Sequence, residues 1–274
     1  MKPFIIITFL PRLESNQKFK QASEKYKNEI IFINPFELNK SFIASYPESK
    51  YFIRIGDYRY KEVIAHLKKF PLLYINPLNE FVFFRSKILT FKFFLKHHFP
   101  TPRTFLVSES NFKDLLELQQ LLPFPLVGKL SESSKGNGVF LISNKEELKS
   151  FLQDHIEKSQ VLLQEFIANS AGKDVRVFIT ENELHSIERQ NATDFRSNLS
   201  QGGKAIATTL SPKEFDLCQK LFQLTGLKYA GIDFLRTNNG PLFLEVNVSP
   251  GFKGIDDIYD KNMAHRILEI QGTP

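Results

Sequence analysis

Three side chains with hard oxygen donors stand on two apolar segments near the end of the chain. Asp233 lies in residues 230–235, and Glu245 and Asn247 lie in residues 242–248. Side chains alternate along a β-strand, so Glu245 and Asn247 leave the same face of their strand. Carboxylate and amide oxygens are ligands that Mg²⁺ prefers, which makes the trio a candidate metal site.

The residues between these segments are typical of a tight turn and predict a β-hairpin. A three-residue loop at 238–240 would pair Thr237 with Pro241 and set Asp233 directly opposite Glu245. Opposed carboxylates repel each other unless a divalent cation lies between them, which favours a metal site. The alternative is a slipped register, in which the carboxylates are separated and Asp233 caps a nearby group.

An apolar segment that carries one lysine, and the loop after it, could bind phosphates. Lys129 lies within residues 126–130, and a Ser- and Gly-rich loop at 131–138 joins it to the next apolar segment. A buried ammonium needs an anionic partner, and a loop rich in backbone N–H groups can close over phosphates. The pattern is not a Walker A motif, because it leads into a strand, and a plain hairpin loop is the alternative.

Further polar residues lie between this loop and the hairpin. Residues 161–167 form an apolar strand with a polar pair inside it, and the next strand has Asp174 and Arg176 on one face. Charged and hydrogen-bonding groups are then dense in residues 188–198. Alternation of polar and apolar side chains is typical of any half-buried strand, so it does not by itself indicate a site. For residues 188–198 the alternative is a solvated loop.

The elements that position these residues fall into two patterns. Strands alternate with helices over about the first 80 residues, which predicts a parallel, wound α/β domain. Its predicted strands are residues 2–10, 29–34, 51–55 and 72–75, and its predicted helices are residues 17–27 and 60–69. A long helix at 80–98 follows and ends at a proline pair, Pro100 and Pro102.

After this break the pattern changes to a mixed α+β region. Strands are predicted at residues 126–130, 139–142, 161–167, 175–180 and 184–188, with helices at 111–122 and 145–155. The hairpin lies between a helix that follows Ser211 and a final helix at 260–270.

Composition limits the class of protein further. The net charge of +6 comes from scattered cations with no basic block, which favours anionic substrates such as ATP and carboxylates over nucleic acid. The single cysteine, Cys218, excludes a disulfide framework and is expected to be a buried, inert thiol in a reducing cytosol. No segment approaches the ~20 apolar residues of a membrane helix, so a cytoplasmic protein without a membrane partner is expected.

Taken in order, these motifs resemble the ATP-grasp superfamily, and most closely the RimK-like α-L-glutamate ligase family. The resemblance covers roughly residue 54 to the C-terminus. It lies in Gly128-Lys129, Gly136-Asn137-Gly138, Gln164-Glu165-Phe166-Ile167, Lys173-Asp174-Val175-Arg176, Glu188-Arg189, Asp194-Phe195-Arg196-Ser197-Asn198, Gly202-Gly203, Ala230-Gly231-Ile232-Asp233 and Glu245-Val246-Asn247-Val248-Ser249-Pro250-Gly251. Arg54-Ile55-Gly56 and Pro77-Leu78-Asn79 are similar to the family less specifically.

The resemblance implies an ATP-grasp fold of α/β and α+β class. Its parts would be an N-terminal wound α/β (pre-ATP-grasp) domain at 1–83, a small central α+β lobe at 84–166, and a C-terminal antiparallel-sheet lobe with the metal site at 167–274.

The resemblance also implies a role for each matching residue. Arg196 would be catalytic, and the metal ligands would be Asp233, Glu245 and Asn247, holding two Mg²⁺ (or Mn²⁺) ions. The ATP-binding residues would be Lys87, Lys129, Gln164, Glu165, Phe166, Ile167, Asp174, Arg196, Ser197 and Asn198, with Gln164 to Ile167 holding adenine and Asp174 the ribose. The phosphate loop would be Ser133, Ser134, Lys135, Gly136, Asn137 and Gly138, and the substrate residues Arg189, Arg54 and Asn79.

The implied reaction joins a carboxylic acid to an amine through an acyl-phosphate. Neither step needs a side-chain nucleophile, and the sequence has no nucleophile-elbow or Cys/His arrangement. Glutamate or a similar amino acid would be joined to a protein terminus or a small molecule. Residues 190–193 are shorter and more neutral than in members that modify ribosomal proteins, so the acceptor stays open, as does a homo-oligomer.

Four alternatives remain. Two are ligases of the glutathione-synthetase and D-alanine–D-alanine kinds, which share the fold and the chemistry but act on other substrates. The third is an ATP-grasp kinase, which would phosphorylate a stable acceptor and release no free phosphate. The fourth is a non-catalytic module that binds nucleotide or nucleic acid.

Overall fold

Three β-sheets form the framework of the described part of the chain. The structure is a computed structural model, and it describes residues 2–26, 29–108, 122–131, 133, 136–157 and 160–270. The helix predicted at 111–122 lies almost wholly outside the described residues, as do Ser134 and Lys135 of the predicted phosphate loop.

The first sheet is parallel, as the alternation of strands and helices predicts. Its strand order is β2-β1-β3, and the strands are β1 (Phe4–Ile7), β2 (Ile30–Ile33) and β3 (Lys50–Ile53). The helices of this region are α1 (Glu14–Tyr26), α2 (Lys40–Ser45) and α3 (Tyr60–Leu67). The fourth strand, predicted at 72–75, was wrong, because only a single bridge between Tyr51 and Tyr74 forms there.

The long helix predicted at 80–98 is two helices, α4 (Leu78–Arg85) and α5 (Lys87–Lys96). Ser86 separates them with an extended backbone, φ −86° and ψ 117°, and its hydroxyl accepts a hydrogen bond from Leu89 N. A serine that caps the second helix offsets the hydrogen bonds lost at the break. The break also brings Lys87 to the start of α5, where its backbone N–H donates to Ser131 O at 3.1 Å.

The second sheet is antiparallel and has the order β4-β7-β5-β6. Its strands are β4 (Thr104–Val107), β5 (Leu126–Leu130), β6 (Val139–Ile142) and β7 (Val161–Glu165), and helix α6 (Lys145–His155) follows β6. The ring of Phe151 on α6 packs so closely that a Cβ at Gly128 would lie 2.7 Å from it. Gly128 therefore permits this helix to pack on the strand that carries Lys129.

The third sheet is also antiparallel, with the order β10-β9-β8-β11-β12. Its strands are β8 (Lys173–Thr180), β9 (Leu184–Gln190), β10 (Lys204–Ala207), β11 (Tyr229–Thr237) and β12 (Gly240–Asn247). Three helices accompany it: α7 (Pro212–Thr225), α8 (Lys253–Tyr259) and α9 (Met263–Glu269). Helix α7 carries the buried Cys218, and α8 was not predicted from the sequence.

The first and third sheets share one apolar core. Ile5 and Ile53 of the first sheet belong to the same buried cluster as Phe243 and Val246 of the third. Asn76 joins the two regions as well, since its amide donates to Tyr229 O at 2.9 Å and Val248 O at 3.0 Å. Each helix in the described ranges is too short or too polar to cross a bilayer.

Candidate functional site

A cleft between the second and third sheets collects most of the residues that the sequence predicts to act. Together with its open mouth, the cleft comprises about 1080 Å³ of space not filled by protein atoms. The predicted residues that line it are Lys87, Lys129, Ser133, Gly136, Gln164, Glu165, Phe166, Ile167, Asp174, Arg189, Arg196, Ser197, Asn198, Asp233 and Glu245.

The hairpin places Asp233 opposite Glu245, as predicted, but with a shorter loop and a β-bulge. The predicted loop was wrong, because Thr237 pairs with Gly240 and only two residues turn the chain. The register then shifts between Asp233 and Phe234, where one extra residue, Leu244, enters the second strand. This bulge restores the pairing of the two carboxylates that the shorter loop alone would have displaced.

Asp233 is held by two arginines, and its carboxylate caps no backbone group in the described part of the chain. Arg176 reaches it at 2.7 and 2.6 Å, and Arg189 Nη2 lies 2.9 Å from its Oδ2. Burial raises the pKa of Asp233, but the charges of the two guanidinium groups outweigh burial and hold this pKa well below its usual range. The carboxylate is therefore ionised and fixed in orientation.

Arg189 and Asp174 lie opposite each other on β9 and β8 and form a second buried ion pair. Burial alone would lower the pKa of Arg189, but Asp233 and Asp174 raise it above its ordinary value. The resemblance described above implies that Arg189 binds substrate and that Asp174 binds the ribose of ATP. The structure brings both to the cleft and joins them, so each also orients the other.

Glu245 faces the cleft with about a third of its side chain exposed. Burial and the neighbouring charge of Asp233 raise the pKa of Glu245, so an added positive charge would stabilise the ionised form of this carboxylate. Asn247 does not line the cleft, and its Oδ1 accepts a hydrogen bond from Ser249 N at 3.1 Å.

This donor set fits a hard divalent cation. Within the described residues no group of three or more His, Cys, Asp or Glu side chains could hold a metal ion. The candidate set is therefore two opposed carboxylates, Asp233 and Glu245, with the amide of Asn247 nearby. Such a partial oxygen set suits Mg²⁺, which keeps water and takes phosphate oxygens as further ligands.

Two lysines reach the cleft from neighbouring elements. Lys129 Nζ donates to Gln164 Oε1 at 2.6 Å, and burial lowers the pKa of Lys129 to about 8. Lys87 Nζ donates to the carbonyl and the hydroxyl of Ser133, and burial lowers the pKa of Lys87 as well. Two ammonium groups that line one cleft are suited to bind phosphates.

Arg196 lines the cleft from the segment between β9 and β10. Its Nε and Nη2 donate to Asp194, and its Nη1 donates to Gly136 O at 3.1 Å. A side chain at Gly136 would be strained, because φ is +80° there and a Cβ would lie 2.9 Å from Asn198 Oδ1. This glycine lets the loop approach Arg196 closely.

The segment predicted to hold adenine lies at the end of β7. Phe166 packs edge-on against Phe195 with ring centroids 6.4 Å apart, and Glu165 accepts a hydrogen bond from Arg103 Nε at 2.8 Å. Phe166 and Ile167 give the cleft an apolar wall. Such a wall suits a planar base.

Some predicted residues lie away from the cleft. Arg54 packs over the rings of Phe19 and Phe252 and bonds to Asn16, and Asn79 is exposed on α4. Asn137, Gly138 and Asn247 do not line the cleft either.

Sequence reasoning missed the role of Arg176. Its place on one face of β8 with Asp174 was visible, but alternation alone does not distinguish an active-site residue from an ordinary strand residue. The pairing of β8 with β11, which the sequence does not reveal, sets Arg176 opposite Asp233.

A model of the RimK-like ATP-grasp domain matches residues 84–270 of the chain. The chain belongs to the RimK-like ATP-grasp family. A probable alpha-L-glutamate ligase of Legionella pneumophila is 31% identical over 283 residues, which cover 96% of this chain and 93% of that protein. A probable alpha-L-glutamate ligase of Nitrosococcus oceani is 34% identical over 212 residues, which cover 75% of this chain and 70% of that protein.

Solved structures agree with this assignment at the level of fold. A RimK domain protein of Sphaerobacter thermophilus has a TM-score of 0.77 at 16% identity and covers 97% of this chain and 98% of its own. A D-alanine–D-alanine ligase of Bacillus anthracis has a TM-score of 0.70 at 19% identity, and the match covers 98% of this chain and 97% of that one. This RimK-like protein therefore has the predicted ATP-grasp fold, and its family membership makes it an ATP-dependent ligase.

Proposed function

We propose that this RimK-like protein is an ATP- and magnesium-dependent carboxylate–amine ligase that forms an amide through an acyl-phosphate. It joins glutamate or a similar amino acid to a protein or small-molecule acceptor. One observation supports this most: a single cleft collects the opposed carboxylates Asp233 and Glu245 and the cations Lys87, Lys129 and Arg196. The names of the Legionella and Nitrosococcus relatives support the choice of glutamate.

ATP occupies the cleft with its base against Phe166 and Ile167 and its phosphates toward Lys87 and Lys129. Asp233, Glu245 and Asn247 would hold the metal, which would be two Mg²⁺ ions or Mn²⁺ in their place. Bound metal would neutralise negative charge on the phosphates of ATP. The residues contribute position and charge, since no covalent enzyme intermediate is required.

The reaction has two steps. A carboxylate oxygen attacks the γ-phosphorus, the bond from phosphorus to the β–γ bridging oxygen breaks, and ADP leaves. The amine nitrogen then attacks the acyl carbon, phosphate leaves with the electron pair of its C–O bond, and the nitrogen loses a proton to solvent. Arg196, whose guanidinium faces the cleft, stabilises the charge on the phosphoryl group during transfer.

A product analysis tests this proposal. The protein is incubated with ATP, MgCl₂, and panels of carboxylic acids and amines that include glutamate, and ADP, phosphate and product masses are measured. We expect phosphate release only when an acid and an amine are both present, with a product mass equal to their sum less water. A phosphorylated acceptor without free phosphate would identify a kinase instead. An Asp233→Ala variant that turns over at the normal rate would contradict the assigned site.

A further inference from the structure

Thr104 takes part in a chain of three hydrogen bonds that ends at Lys129. Lys129 Nζ donates to Gln164 Oε1 at 2.6 Å, and Gln164 Nε2 donates to Thr104 Oγ1 at 2.8 Å. Thr104 Oγ1 in turn donates to the Pro102 carbonyl at 2.8 Å. Lys129 and Gln164 line the cleft, whereas Thr104 is not among the lining residues.

Strand pairing in the second sheet places these side chains on one face. Thr104 on β4 lies directly opposite Gln164 on β7, and Gln164 also lies opposite Val127 on β5. Lys129 is two residues beyond Val127, so it is the diagonal neighbour of Gln164 on the same face. The hydrogen bonds therefore run across three adjacent strands.

The chemistry of the groups fixes the direction of each bond. An ammonium only donates, so the Gln164 amide must present its oxygen to Lys129. The amide nitrogen then needs an acceptor, and Thr104 Oγ1 is free to accept because its own hydrogen is directed to Pro102. Gln164 is only 5% exposed, so water is a poor substitute for the threonine hydroxyl.

We propose that Thr104 is a positioning residue for nucleotide binding, which acts through Gln164 to hold the Lys129 ammonium in the cleft. The assignment rests on the proposed function, in which Lys129 contacts the phosphates of ATP. Without the hydroxyl, the Gln164 amide either keeps an unpaired buried N–H or rotates and turns its nitrogen toward the ammonium. Both outcomes weaken the hold on Lys129.

The test compares Thr104→Val, which removes the hydroxyl at nearly constant shape, with Thr104→Ser, which keeps it. Dissociation constants for MgATP and for adenosine are measured by calorimetry or competition. Adenosine has no phosphates, so its affinity reports the base and ribose sites without the phosphate site. We expect Thr104→Val to raise the dissociation constant of MgATP about 5- to 150-fold, the range for an unpaired buried donor, and that of adenosine less than about twofold. Thr104→Ser should bind both ligands about as the unmodified protein does.

The pH dependence of MgATP binding gives a second readout. The charged groups that face Lys129 are Glu245, Lys87, Asp174 and Asp233, and all are present in both variants. A weaker bond from Lys129 to the amide oxygen of Gln164 disfavours the charged ammonium, so the alkaline loss of affinity should begin about 0.5–1 pH unit lower in Thr104→Val than in Thr104→Ser.

Several results would overturn the assignment. One is equal weakening of ATP and adenosine binding, which indicates general damage to the sheet. Another is a Thr104→Val protein that binds MgATP normally with an unchanged pH profile, and a third is a Thr104→Ser protein as weak as Thr104→Val. If Thr104→Val does not fold, the smaller Thr104→Ala replaces it in the same comparison. MgATP binding by the unmodified protein is measured first, because its absence contradicts the proposed function itself.

Discussion

Arg176 and Asp233 form a two-point ion pair across β8 and β11, with Nε and Nη2 of the guanidinium 2.7 and 2.6 Å from the two carboxylate oxygens. The side chains of Arg176 and Asp233 are 12% and 3% exposed, so water contributes little to either. A carboxylate held in this way presents a fixed direction to a cation in the cleft.

Removing Arg176 leaves the buried carboxylate of Asp233 with Arg189 as its ion-pair partner within the described part of the chain. We expect Arg176→Met to lower the free energy of unfolding by about 3 kcal/mol, the scale measured for broken buried pairs. Urea unfolding followed by circular dichroism measures this change. Lys228→Met is the control, because it breaks the pair with the exposed Glu181 and should cost no more than about 1 kcal/mol. Equal losses in the two variants would refute the special role of Arg176.

Glu245→Gln keeps the size of the side chain and removes its charge. If Glu245 is a metal ligand, the Mg²⁺ concentration for half-maximal activity should rise by about tenfold or more, since hard cations favour carboxylates. The measurement is a titration of ligase rate with MgCl₂ at saturating ATP. Glu181→Gln, on the turn between β8 and β9, is the matched control and should leave the titration unchanged. An unchanged curve for Glu245→Gln would remove this residue from the metal site.

The affinity for ATP should depend on pH through Lys129. Burial lowers the pKa of Lys129 to about 8, so in the free protein the ammonium is charged below that pH and neutral above it. Phosphate binding needs the charged form, so the ATP dissociation constant should be level just below pH 8. Above pH 8 it should rise by up to about tenfold per pH unit.

Calorimetry with MgATP between pH 7 and 9.5 measures this profile. A Lys129→Arg variant that still binds should show a flatter profile, because a guanidinium keeps its charge over the whole range. A profile of the unmodified protein that is level to pH 9.5 would contradict the role given to Lys129.

Arg196 should affect the rate more than the binding of ATP. We expect Arg196→Ala to lower kcat by about 10³–10⁵, as for arginines that stabilise a transferring phosphoryl group. Steady-state kinetics with an ADP-release assay separate kcat from KM, and a separate binding experiment gives the affinity for ATP. A loss confined to KM would make Arg196 a binding residue and not a catalytic one.

Cys218 is expected to be unreactive in the folded protein. It is fully buried in α7, and burial raises the pKa of its thiol to about 12, so the neutral thiol prevails at pH 8. From the thiolate fraction alone, a disulfide reagent should react roughly 10³-fold more slowly than with the unfolded chain. Absorbance of the released thiolate with and without denaturant measures both rates. Rapid, stoichiometric labelling of the native protein would contradict the packing of α7.

The sequence predicted the facing carboxylates correctly while predicting the loop incorrectly. The predicted three-residue loop and the observed two-residue turn with a bulge at Leu244 both set Asp233 opposite Glu245. Turn residues restrict the possible loops, but a bulge depends on the packing of both faces of the strand, which local sequence does not record.

The break at Ser86 between α4 and α5 was also not predicted from the local sequence. The apolar pattern on both sides is continuous enough to predict one helix, and a single serine inside it is an ambiguous signal. The hydroxyl of Ser86 caps α5, and the break is also held by a contact distant in sequence, from Lys87 N to Ser131 O at 3.1 Å. Contacts between elements distant in sequence help to fix the break between the two helices, and they also set Arg176 opposite Asp233.

Asn76 and the core that it borders have a consequence for how the protein can be divided. Similarity to the family domain begins at residue 84, but Ile5 and Ile53 lie in one apolar cluster with Phe243 and Val246. A fragment cut at residue 84 would expose that cluster and leave Tyr229 O and Val248 O without the Asn76 amide. The length of chain that must stay together to keep this core intact is therefore greater than the length that matches the family domain.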